Sequence, residues 1–123
     1  VDVALIGLPA EIVPDTISQC LEKGVKSAII FSSGFAEVGG EGAQIQEQLG
    51  DMARKSAFPV CGPNCIGIVN LPEKIPLAFT NVLEIEPVIP GHIGFISQSG
   101  ALGGSLFSAA MEMGWNPPTT CTT

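Results

Sequence analysis

The residues of this chain best suited to chemistry are small and polar, and they fall in four clusters: Gly7-Leu8-Pro9, Phe31-Ser32-Ser33-Gly34, Gly62-Pro63-Asn64-Cys65 and Ser97-Gln98-Ser99-Gly100. Hydroxyls, a side-chain amide and open backbone N–H groups hold a ligand, but they supply no general acid or base. Taken singly, each cluster is ordinary turn chemistry, so the case for a site rests on all four together. Cys65 has no histidine or basic residue near it in sequence to lower its thiol pKa, so ligand lining or packing is expected of it rather than nucleophilic catalysis. The single histidine, His92, precedes an apolar run at what reads as the amino end of a strand, and a structural or surface role is expected there. Ser97 and Ser99 stand at a strand-to-helix turn, yet neither lies in a Gly-x-Ser-x-Gly frame and no histidine follows, which argues against a serine hydrolase. Cys20, Cys61, Cys65 and Cys121 lack the paired Cys-x-x-Cys spacing of a zinc site. Glu37 reads as an exposed loop carboxylate.

Each cluster follows an apolar run that must position it. Val3 to Ile6 fits a buried parallel strand, and Pro14 and Asp15 open a helix through about Lys23 with Ile17, Cys20 and Leu21 on one face and Gly24 as its stop. Lys26 to Phe31 reads as a second strand. A second amphipathic helix, from about Gly42 to Ala57, carries Ile45, Leu49 and Met52 at i, i+4 and i+7, and Phe58 to Cys61 is the third strand. This βαβαβ order implies a parallel sheet with right-handed crossovers, whose ligands collect beyond the carboxyl ends of the strands. A short apolar run, Ile66 to Val69, follows. Leu71 to Gly91 contains four prolines and no sustained period, and so reads as a linker or long surface loop. His92 to Ile96 then restarts the strand pattern, and Leu102, Leu106, Ala109 and Met113 mark the expected buried face of a third helix. Asn116-Pro117-Pro118 breaks the strand expected next.

Composition narrows the function classes. With 46% hydrophobic residues, the chain has enough apolar content for a core. Twelve acidic against five basic side chains give a net charge of −7, which opposes binding to a nucleic-acid backbone. No apolar run reaches membrane-spanning length and no secretory signal is present, so a cytoplasmic address with reduced thiols is expected. The chain begins almost directly on a strand without an initiator methionine, and both ends read as cut.

Three motifs then carry a resemblance. Ser32-Ser33-Gly34-Phe35-Ala36-Glu37, Gly62-Pro63-Asn64-Cys65-Ile66-Gly67 and Gly94-Phe95-Ile96-Ser97-Gln98-Ser99-Gly100-Ala101-Leu102, in this order, resemble the NDP-forming acyl-CoA synthetases. These include ADP-forming acetate–CoA ligase and, more distantly, the alpha subunit of succinyl-CoA synthetase. The resemblance implies an α/β fold: an incomplete Rossmann-like CoA-binding domain over 1–70, a Pro-rich linker over 71–91, and the first βα unit of a flavodoxin-like ligase domain over 92–123. It implies an enzyme that joins a small carboxylic acid to CoA through acyl phosphate and phosphohistidine, with ATP or ADP and Mg bound by a nucleotide-grasping domain or subunit outside these residues. By position, Pro9, Phe31, Ser32, Ser33 and Gly34 line the CoA site, with Gly62, Pro63, Asn64 and Cys65 near the thiol end. Ser99 and Gly100 head a helix whose start receives phosphate. The family's glycine-rich loop would lie before Val1 and its catalytic histidine beyond this segment, so no catalytic residue is expected here. The alternative is a non-catalytic CoA-binding regulatory module, as in ligase-like domains fused to acetyltransferases.

Overall fold

Val3–Ile6 forms β1 of a parallel sheet, but of this run, expected to be buried, only Ile6 is: Val3 and Ala4 are half-buried and Leu5 is 52% exposed, since the face that carries Leu5 is not covered among the described residues. In the computed structural model, which describes residues 1–80, 94–114 and the backbone of 119–122, the chain divides into two units, Val1–Asn64 and Cys65–Thr123.

In the first unit α1 (Val13–Glu22) links β1 to β2 (Ser27–Ile30), and α2 (Gly40–Ser56) links β2 to β3 (Val60–Cys61). The three strands are parallel in the order β1-β2-β3, with Leu5 opposite Ile29 and Ile29 opposite Cys61. Helix α1 starts with Pro14 in its first turn, where a missing N–H costs nothing, and stops at Gly24, whose φ of +72° suits glycine. Its Ile17 is buried while Cys20 and Leu21 pack against the core; from α2, Leu49 is buried with Ile45 and Met52 beside it. These are the faces read from the sequence. The core centres on Val13, Ile17, Ile30 and Phe35, the largest side chains that are fully buried. Removing each from water contributes roughly 1.5–3 kcal/mol.

The second unit holds a mixed sheet in the order β5-β4-β7-β6. β4 (Gly67–Asn70) pairs antiparallel with β5 (Ile75–Ala78) and with β7 (Thr119–Thr122), and β6 (Phe95–Ser97) runs parallel to β7 through α3 (Gly100–Glu112). This corrects the sequence reading in three places. Part of the expected linker over 71–91 is a strand: Asn70 Oδ1 accepts from the Glu73 N–H (3.2 Å) to turn the chain, and Pro76 is tolerated because β5 is an edge strand. The remainder, 81–91, lies outside the described residues, as does His92. A strand does follow α3, built from the threonine-rich run after Pro118, although 115–118 themselves lie outside the described residues. The buried face of α3 is Gly103 and Phe107, while Leu102 is 56% and Met113 71% exposed. Helix α3 is apolar on nearly every side, so its periodicity did not single out the packed face.

Candidate functional site

Because β1, β2 and β3 are parallel, the segments that follow them emerge at one edge of the sheet. Backbone hydrogen bonds tie these segments together. The Phe31 N–H donates to the Ile6 carbonyl (2.9 Å), and the Asn64 N–H donates to the Ser32 carbonyl (2.9 Å). A methyl added at Gly34 would touch the Ala10 side chain at 3.4 Å, so the segments after β1 and β2 also meet. Asn64 has φ +55°, a left-handed conformation that asparagine adopts more readily than most residues, and the Gly62–Pro63 peptide is cis. Pro9, Phe31, Ser32, Ser33, Gly34, Gly62, Pro63 and Asn64 are therefore brought to one strand-end cluster. Cys65 opens the second unit and is buried there, 6% exposed.

One atom in the cluster is anomalous. The Ser32 hydroxyl is buried and has no hydrogen-bond partner among the described residues. A buried hydroxyl left unpaired costs about 1–3 kcal/mol, so such a group is the kind a ligand satisfies. The cluster carries neither cation nor carboxylate at positions 7–9, 31–34 or 62–64. Its means of holding a ligand are hydroxyls, the Asn64 amide and backbone N–H groups.

A charged group that does reach the cluster is Glu37, which the sequence reading gave as a loop carboxylate. Its Oε1 accepts from the Gly34 N–H (2.6 Å) and its Oε2 from the Phe35 N–H (3.2 Å), while Gln46 Oε1, from α2, accepts from the Ala36 N–H (3.0 Å). Three successive backbone donors of the loop after β2 are thus taken by two side chains. The Gly34 N–H is the main reason that the Glu37 carboxyl is held below its ordinary pKa, with the Phe35 N–H acting in the same direction. On the other side of the loop, Gly42 of α2 is buried so tightly that a methyl there would collide with the Phe35 carbonyl and lie 2.7 Å from that of Gly34. The signal available in the sequence was the spacing of Glu37 three residues after Gly34, a local side-chain-to-backbone return.

A groove of about 560 Å³ runs along α2, lined by Gln46, Gly50 and Arg54 with Val60, Gly62 and Pro63. It adjoins the strand-end cluster, sharing Gly62 and Pro63 with it and reaching Ala36 of the loop after β2, but its lining does not include Ser32, Ser33 or Asn64. Arg54 is engaged with Asp51 at 2.6 Å on the exposed surface of α2.

At the start of α3, the Ser99 hydroxyl accepts from the Leu102 N–H (3.3 Å), the geometry of an N-cap. The Ser97 hydroxyl donates to the Ser99 carbonyl (3.0 Å), and a methyl on Gly100 would stand 3.0 Å from Ile66. The cap and the close packing on Ile66 each account for a residue type that the sequence reading assigned to phosphate.

Comparison with known proteins bears on all of this. The family described as CoA binding domain matches residues 1–70. The chain is 44% identical over 115 residues to the alpha subunit of ADP-forming acetate–CoA ligase I of Pyrococcus furiosus, covering 94% of this chain and 23% of that one. It is 40% identical to the alpha subunit of ligase II of the same organism, covering 86% of this chain and 22% of that subunit. Among solved structures, acetyl-coenzyme A synthetase 1 from Ca. Korarchaeum cryptofilum, determined with phosphate and ADP, superposes with a TM-score of 0.86 at 34% identity, over 99% of this chain and 25% of that one. The chain thus spans less than a quarter of the length of these two curated relatives.

Proposed function

The chain belongs to the CoA binding domain family, and on that premise we propose that it holds CoA at the carboxyl ends of β1, β2 and β3, within an ADP-forming acid–CoA ligase. The observation that carries the reading is the buried, unpartnered Ser32 hydroxyl in a cluster otherwise made of Gly, Pro, Ser and Asn. Pro9 and Phe31 supply apolar walls, Ser32 and Ser33 hydroxyl contacts, and Gly34 and Gly62 close approach of the backbone. Pro63 and Asn64 border the end of the site nearest the CoA thiol. These residues bind and orient CoA and perform no proton transfer.

In the full-length protein this segment serves a reaction that joins a small carboxylic acid to CoA as ATP is converted to ADP and phosphate, by way of acyl phosphate and phosphohistidine. ATP and Mg belong to a nucleotide-grasping domain or subunit, and the start of α3 at Ser99 and Gly100 receives phosphate at its unpaired helix N–H groups. A cytoplasmic address agrees with this chemistry, and no helix among the described residues is long and apolar enough to cross a membrane.

Calorimetry of CoA binding to the full-length protein tests the site. Ser32→Ala is expected to weaken CoA by roughly five- to tenfold, the loss of one hydrogen bond of about 1 kcal/mol or slightly more. The same substitution leaves the ligand-free fold as stable as before or more so, since it removes an unsatisfied buried hydroxyl. Undiminished CoA affinity in both Ser32→Ala and Asn64→Ala would place the ligand elsewhere.

A further inference from the structure

The loop after β2 must present Ser32 and Ser33 in one conformation to be useful, yet it contains two glycine-free hydroxyl residues followed by Gly34, whose φ of +101° belongs to no regular element. Something must hold it. Its carbonyls at Gly34 and Phe35 lie against the bare Cα of Gly42, and the Phe35 side chain is fully buried. That fixes the loop from below. From the solvent side, the two oxygens of Glu37 accept from the Gly34 and Phe35 N–H groups and the amide oxygen of Gln46 accepts from that of Ala36.

We infer that Glu37 is a positioning residue for CoA: its carboxylate, reaching back to the Gly34 and Phe35 N–H groups, keeps the Ser32-Ser33 segment in the receptive conformation, with Gln46 securing the next N–H from α2. The inference rests on the CoA reading above. Glu37 itself is exposed and touches no ligand in this scheme, so its effect passes through the backbone it holds. Gln46 is the second clamp because it belongs to a different element: the loop is tied both to itself and to the helix that Gly42 presses against it. Two charge-assisted acceptors give way to one neutral oxygen and an amide NH2 facing an N–H donor in Glu37→Gln, so the isosteric change weakens the clamp without leaving a gap. A ligand that binds only the receptive conformation loses affinity in proportion to the fall in its population. If that population drops to about one in ten, binding weakens about tenfold.

The experiment measures CoA affinity of the full-length protein by calorimetry for the wild type, Ser32→Ala, Glu37→Gln, Glu37→Asp and Gln46→Ala, with thermal melting of each. Hydrogen–deuterium exchange of the peptide spanning 31–38 is followed in the same set. Expected are a roughly tenfold weaker CoA for Glu37→Gln, partial recovery in Glu37→Asp, and faster exchange in 31–38 for Glu37→Gln. In steady-state ligase kinetics the loss falls on KM for CoA rather than on kcat. Gln46→Ala, which leaves Glu37 in place, gives a smaller loss of the same kind and keeps the test alive should Glu37→Gln fold poorly. Wild-type affinity in Glu37→Gln alongside weakened binding in Ser32→Ala would overturn the positioning role while leaving the CoA site standing. Absence of CoA binding in the wild type would overturn both.

Discussion

Gly42→Ala is the substitution whose outcome the structure constrains most sharply. Replacing glycine by alanine inside a helix ordinarily stabilises it by up to about 1 kcal/mol. At Gly42 the added methyl would collide with the Phe35 carbonyl and lie 2.7 Å from the Gly34 carbonyl and 2.8 Å from a methyl of Val38. Two of these three neighbours are backbone, which cannot rotate aside, so either α2 or the loop after β2 must move. Overpacking of this kind costs typically about 1–3 kcal/mol, and with a helical gain of about 1 kcal/mol subtracted the net loss is up to about 2 kcal/mol. In a domain of this size that lowers Tm by up to about 15 °C. Gly50 of the same helix provides the control. A methyl there meets only the Arg54 guanidinium, at 3.1 Å, the far end of a flexible side chain. Thermal denaturation followed by circular dichroism should show Gly50→Ala at or above the wild-type Tm and Gly42→Ala well below it, with CoA affinity reduced only in the latter. Equal melting temperatures for the two variants would refute the claim that α2 and the strand-end loop are in rigid contact.

Three further outcomes follow from the same geometry. The folded-state pKa of Glu37 lies below its unfolded value, so its ionised form contributes stability that is complete above the unfolded pKa and is lost as pH falls through the folded one. The stability difference between wild type and Glu37→Gln in urea titrations should therefore be full at about pH 6, above the ordinary carboxylate range, and shrink as the pH falls through the lowered folded-state pKa; Asp51, lowered by Arg54 and then Lys55, is common to both proteins and cancels. Ser99→Ala should cost about 1 kcal/mol through loss of the cap seen at Leu102, whereas Ser99→Asp should keep the stability, which paired melts will show. In the full-length protein Ser99→Asp should nevertheless reduce phosphohistidine formation, since its charge repels phosphate at the helix start; unchanged phosphorylation would leave Ser99 with capping alone.

The first unit was legible because its signals are strong and local. Val3 to Ile6 and Ser27 to Ile30 are continuous apolar runs, Ile17 and Leu49 sit at helical spacing, and Pro14 and Gly24 mark where α1 begins and ends. The convergence of the clusters after β1, β2 and β3 followed from parallel topology alone. What the sequence concealed depends on partners distant in the chain or on the absence of an atom. Pro76 argues against a strand unless its edge position is known, and that position is set by pairing with β4. Thr119 to Thr122 is a weak strand by local pattern and becomes one between β4 and β6. Helix α3 offered several apolar faces, and the buried one is that of Gly103 and Phe107 rather than that of Leu102 and Met113. The strand-end cluster was legible as a set of small polar residues. The clamp on it was not, because Glu37 and Gln46, nine positions apart in the chain, act on the successive N–H groups of Gly34, Phe35 and Ala36, a relation visible only once α2 is laid against the loop.

A crystal structure of the full-length protein with CoA tests the central claim most directly. The account predicts CoA at the carboxyl ends of β1, β2 and β3, with one of its polar atoms within hydrogen-bond distance of Ser32 Oγ and the Glu37 clamp on Gly34 and Phe35 intact. CoA seated instead in the groove along α2, against Gln46, Gly50 and Arg54, with Ser32 Oγ still unpartnered, would contradict it.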